Sequence, residues 1–190
     1  MTLAEPDRRR LLQLALLAAA VPAAGPAAAQ PAASGLRDFD FFVGTWDVHH
    51  RRLRKRLAGS NDWEEFKGTT RCQSLLGGIV NLNESTAVRE TGPTNGMGLR
   101  AYDAKTHLWA DWYLASGNPH SLENPGVGRF DGKVGDFFSD DTFEGKPIKV
   151  RGRFTSIADG LAQWEQAFSP DAGQTWETNW VMRYVRTARA

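Results

Sequence analysis

The chain of 190 residues has a single cysteine, Cys72, so no disulfide can close within it and no cysteine-based zinc site can form. It also lacks a charge excess. The formal net charge is +1, and without the three arginines and two acids of the first 29 residues it falls to zero. No global field then favours nucleic acid, and neither nucleic acid nor anionic lipid is expected as a partner. Histidine is scarce and scattered: His49 and His50 are adjacent, and His107 and His120 are isolated. Adjacent residues on a strand point to opposite faces, so the first two cannot chelate one ion together. Asp140, Asp141 and Glu144 lack the EF-hand spacing. No metal ligand and no cofactor is expected. There is no phosphate-cradling P-loop, no nucleophile elbow and no dinucleotide fingerprint, which leaves no catalytic residue to name from a motif.

Long apolar runs are missing too, except at the N-terminus. There Arg8, Arg9 and Arg10 precede the apolar stretch from Leu11 to Val21, and Ala27-Ala28-Ala29 follows before Gln30. That is the layout of a cleavable export signal over residues 1–29, and its apolar part is short for a membrane span. The arginine run followed by Leu11 and Leu12 resembles a twin-arginine leader, with a general secretory signal of arginine-rich basic region as the alternative. The expectation is export to the bacterial periplasm or beyond, with no integral membrane segment in the mature chain. Residues 30–36, rich in Pro, Ala, Ser and Gly, read as a flexible linker.

From 37 to 187 no helical period appears. Short alternating or aromatic runs predict strands near 43–55, 62–72, 79–89, 96–103, 107–115, 125–131, 133–140, 147–155, 161–168 and 175–186. Turn residues separate them, among them Asn95-Gly96, Asp131-Gly132 and Asp159-Gly160. Ser169-Pro170-Asp171-Ala172-Gly173-Gln174-Thr175-Trp176 matches the S-x-D-x-G-x-T-W pattern of the Asp-box hairpin, a structural motif in which the Asp caps the turn. About ten strands without helices predict an all-β fold, a single antiparallel up-and-down barrel, because closure removes the exposed edges of a long meander.

The two ends of the domain support closure. Gly44-Thr45-Trp46 carries a G-x-W pattern at the start of the first strand. In an up-and-down barrel the last strand returns beside the first. Alternation places Trp176, Thr178, Trp180, Met182, Tyr184 and Arg186 on one large, mostly apolar inner face, with Arg183 outside. Arg186 is then expected to cap the Trp46 ring by a cation–π contact.

The domain resembles bacterial lipocalin-like, calycin-type domains that have no settled activity. The segments that carry the resemblance are Asp38-Phe39-Asp40-Phe41-Phe42 leading into Gly44-Thr45-Trp46, Asp140 to Ile148, and Trp164 to Trp180. The resemblance implies a lipocalin-like barrel sealed by the first-strand Trp and last-strand Arg, and it implies fold more than function. The chain departs from the secreted lipocalins in having no disulfide. Haem-binding barrels of related architecture place their ligating His on a late strand, and no His follows His120 here.

Within that fold, alternation from Trp46 turns His50 and Arg52 inward, where they could meet a polar or anionic group of a ligand. The rival reading is that the strand leaves the barrel there and both are solvated, as the neighbouring basic run Arg51–Arg56 would favour. That run could serve as a patch for an anionic partner, but solvated pairing with Glu64 and Glu65 across the hairpin is the favoured reading. Trp112, Trp164 and Trp180 are expected to line a cavity, and Gln166 to offer an orienting hydrogen bond from the face of Trp164 and Phe168. The leading expectation is a non-enzymatic protein binding a small, partly apolar ligand through His50, Arg52, Trp112, Trp164, Gln166 and Trp180. A second is an isomerase- or lyase-like enzyme at the barrel mouth, with His50 as general base, which needs another titratable group within hydrogen-bond reach. A third is a structural or interaction module, with a homodimer left open.

Overall fold

The computed structural model describes residues 35–120 and 122–188. Two short 3-10 turns, Gly35–Arg37 and Asp40–Phe42, lead into ten strands. These are β1 (Gly44–Leu53), β2 (Trp63–Leu75), β3 (Val80–Arg89), β4 (Gly92–Asp103), β5 (Leu108–Ala115), β6 (Gly126–Asp131), β7 (Val134–Phe143), β8 (Lys146–Ala158), β9 (Leu161–Ser169) and β10 (Glu177–Ala188). Every strand pairs antiparallel with its sequence neighbour, and β10 pairs with β1 to close the barrel. The all-β, up-and-down expectation holds, strand for strand. The expected leader over 1–29 lies outside the described residues. Among the described residues no helix is long and apolar enough to cross a membrane.

The lead-in expected over 30–36 ends sooner than its composition suggested. Gly35 accepts a hydrogen bond from Trp109 Nε1 at 2.9 Å, and Leu36 packs against the core. The segment is followed by a plug of rings. Phe39 meets Trp109, Phe130 and Phe154 edge-on at 5.0–5.1 Å, and Phe42 meets Tyr184 the same way at 5.0 Å. Edge-to-face geometry at these spacings adds attraction to the apolar burial. This plug closes one end of the barrel.

The seal forms as expected. Trp46 and Arg186 are direct cross-strand partners, and the guanidinium sits 4.1 Å from the ring centroid. Arg186 also donates to the carbonyls of Val43 and Phe41, and Trp46 Nε1 donates to the Phe42 carbonyl at 2.9 Å. One side chain thus ties β10 to both β1 and the plug.

The inner stripe of β10 needs a correction at its start. The β9–β10 register shifts between Thr178 and Trp180, so Asn179 is an extra residue and the alternation resets. Trp180, Met182, Tyr184 and Arg186 keep one face, whereas Thr178 pairs with Ala167 on the other. Trp176 packs on the outer residues Phe138 and Arg151, with ring contacts at 6.0 and 5.1 Å. The turn that precedes it is capped as its pattern implies: Asp171 accepts from Thr175 N at 2.8 Å and Thr175 Oγ1 at 2.6 Å.

Candidate ligand-binding site

Above the plug the barrel encloses a cavity of about 440 Å³. Cross-strand register builds its walls in rows. One row runs Glu64, Arg52, Trp180, Gln166 and Gly152, from β2 through β1, β10 and β9 to β8. The row beneath runs Phe66, His50, Met182, Trp164 and Phe154. Each strand contributes alternate residues to one face, which brings these side chains together from distant parts of the chain. His50, Arg52, Trp112, Trp164, Gln166 and Trp180 all border the cavity.

The aromatic side is well defined. Trp164 and Trp180 meet edge-on at 5.9 Å. A Cβ on Gly152 would sit 3.2 Å from Trp164 Nε1, so the missing side chain leaves room for that indole to lie across the strand. Neither Trp164 Nε1 nor the Gln166 amide has a hydrogen-bond partner among the described residues. Both are free to orient a ligand.

Trp112 borders the cavity differently from its companions. Its cross-strand partner is Leu99, and it leaves β5 on the face opposite Asp111 and Tyr113. Its Nε1 donates to Leu122 O at 3.1 Å. β5 pairs with β6 only over Trp109–Asp111, so Trp112 stands where the wall loses its ladder. It frames a seam in the wall and does not form part of the inner stripe.

His50 is 5% exposed and stacks on Phe66, with centroids 4.5 Å apart and planes at 13°. Its Nδ1 accepts from Trp180 Nε1 at 3.3 Å. An indole N–H can only donate, so the neutral imidazole carries its proton on Nε2. Burial, with the nearby charges of His49 and Arg89, pushes its pKa down to about 4. The general-base reading required a second titratable group within reach, and the group bonded to His50 is an indole.

Sequence reasoning placed Glu64 with Glu65 in solvated pairing across the hairpin, and only Glu65 behaves that way. Glu65 pairs with Arg51 at 3.2 Å, whereas Glu64 is buried at the inner face and takes a two-point contact from Arg89, with Nε donating to Oε1 at 3.1 Å. That contact holds the Glu64 carboxyl below its ordinary pKa. Elsewhere in the basic run Arg54 pairs with Asp62 at 3.6 Å and Arg56 lies over the Phe143 and Phe168 rings.

The opposite, polar wall was missed altogether. Arg100, 6% exposed, pairs through Nε with Asp111 at 3.0 Å and donates from Nη1 to Asn81 and Asn83 at 2.8 and 2.7 Å. Asn81, Arg100 and Asp111 are consecutive cross-strand neighbours. Asn83 donates to Ser85 at 2.9 Å, and Ser85 shares a 2.7 Å bond with Thr70. Arg100 also lies 4.8 Å from the Phe154 ring. Burial raises the Asp111 pKa, and the adjacent guanidinium opposes that rise. The alternation of Arg100 with Tyr102 on one strand, and of Trp109 with Asp111 on the next, was the available clue.

No family model and no curated protein matches the chain. Among solved structures it is similar to the S-type phycobiliprotein lyase CPES from Guillardia theta, at 11% identity and a TM-score of 0.51, over 82% of this chain and 98% of that one. At that identity the likeness is one of fold alone: a closed, ten-stranded, lipocalin-like barrel.

Proposed function

We propose that this chain is an exported, non-enzymatic binding protein whose barrel holds a small, partly apolar ligand. The observation that carries the reading is the cavity of about 440 Å³ with two unlike walls. Phe154, Trp164, Trp180 and Met182 offer apolar surface on one side, and Thr70, Asn83, Ser85 and Asp111 offer hydrogen bonds on the other. A mostly apolar pocket of a few hundred Å³ with a small number of placed polar groups is the usual form of a small-molecule site. A barrel meant only as a scaffold gains more by filling its interior than by leaving a void lined with tryptophan.

The similarity to a lyase raises a reaction at the mouth as a second reading. The groups available for it argue for holding over turning over. His50 Nδ1 is occupied by Trp180, and Asp111 is held by Arg100. Export rests on the N-terminal segment, and the mature protein is proposed to begin at Gln30, which N-terminal sequencing of periplasmic material would check.

Native mass spectrometry of the protein purified after bacterial expression tests the binding reading. A retained small-molecule adduct, lost in the cavity-filling variant Ala87→Trp, is the expected result. A chain that emerges empty, and whose melting temperature no apolar compound raises, would contradict it.

A further inference from the structure

We propose that the ligand carries a single anionic head group of the carboxylate class, seated on Arg52 at the mouth, with its apolar body directed towards Trp164 and Phe154. This deepens the binding reading above and rests on it.

The argument is a pairing of charges around the cavity. Arg100 is matched by Asp111 at 3.0 Å, and Arg89 by Glu64 in a two-point contact. Arg56 lies over Phe143 and Phe168 within the field of Glu144 and Glu177. Arg52 differs from Arg89 and Arg100 in having no carboxylate bonded to it among the described residues, although it lies in the field of Glu64. Its guanidinium lies 4.5 Å from the Trp180 centroid, and no carboxylate or carbonyl among the described residues accepts a hydrogen bond from it. A ring face attracts the charge but supplies no lone pair, so among the described residues the five N–H donors find no acceptor. Glu64, its cross-strand neighbour, spends both oxygens on Arg89.

Position makes the surplus meaningful. Arg52 borders the cavity, and burial together with Arg56 and Arg89 makes its charged form costlier than in water, a cost that Glu64 and Tyr113 offset only in part. An arginine held in that situation accepts a planar anion through two parallel N–H bonds, the geometry a carboxylate matches. One cation without a bonded carboxylate suits a monoanion; a phosphate dianion would bring a second charge with no partner. Below Arg52 in the same cavity the lining becomes aromatic through Trp164 and Phe154, whose rings lie 6.4 Å apart. An anion at the mouth therefore continues into an apolar body.

Two probes with one aromatic frame separate the head from the body. Anilinonaphthalene sulfonate carries an anionic head, and phenylnaphthylamine carries none. The wild-type protein is expected to bind the sulfonate about tenfold more tightly, the worth of a charge-assisted contact. In Arg52→Gln the two affinities should converge, with that of the neutral probe unchanged. Raising salt on wild-type protein should weaken the sulfonate alone, which keeps the test valid if the variant fails to fold. Equal wild-type affinities, or an advantage that survives Arg52→Gln, would overturn the Arg52 anchor and leave the binding reading standing. Saturable binding of neither probe would overturn both.

Discussion

Arg186 lies over the ring of Trp46 at 4.1 Å while donating hydrogen bonds to the carbonyls of Val43 and Phe41. The first strand, the last strand and the aromatic plug therefore meet at one side chain. Replacing Arg186 by Ala removes a desolvated cation–π contact and leaves carbonyls without their donor. A loss of about 2–4 kcal/mol is expected in urea unfolding. Arg186→Lys should recover only part of it, because a single ammonium on a flexible stem reproduces the fork poorly. A loss below about 0.5 kcal/mol, the range of an ordinary surface change, would show that the seal is ornamental.

The pair at the cavity floor should respond asymmetrically. Asp111→Asn leaves Arg100 buried without its counter-charge, and a destabilisation of about 3 kcal/mol is expected. Replacing both partners by apolar residues, Arg100→Met with Asp111→Leu, should cost less than the single change, since no orphan charge remains. Chemical denaturation of the two variants decides it. If the double variant is the weaker, the pair is worth more than its desolvation.

His50 gives the fold a pH dependence with a definite sign. Its pKa is about 4 in the folded protein, against 6.5 for the free side chain. Between those values the unfolded chain binds the proton and the folded one resists it, so stability is full above the upper value and falls as the pH drops towards 4. The loss attributable to this residue approaches about 3 kcal/mol. His50→Gln should flatten the melting temperature across that window relative to wild type. An unchanged slope would place the acid sensitivity elsewhere.

What the sequence made legible follows from where its period stays regular. Trp46 and Arg186 were found from opposite ends of the chain because the register runs unbroken from Trp180 to Arg186 and from Trp46 to Arg52. Trp176 was misplaced because a one-residue bulge at Asn179 flips everything before it, and a bulge leaves no mark in composition. Trp112 borders the cavity as expected, but parity with Asp111 brings it there at the seam beside β5 and not from the inner stripe. Arg100 and Asp111 went unseen since no motif or spacing marks them, and only the facing of β3, β4 and β5 brings Asn81, Arg100 and Asp111 into one row. Glu64 was misread because its partner was sought across the hairpin, whereas Arg89 comes from the strand beyond it.

The central claim is that the barrel interior is a binding site. Titration of phenylnaphthylamine, followed by its own emission and by energy transfer from tryptophan, tests it most directly. The account predicts a saturable curve with one probe per barrel, abolished by Ala87→Trp in a protein whose circular dichroism is unchanged. A linear, unsaturated response, or saturation that Ala87→Trp leaves intact, would contradict it.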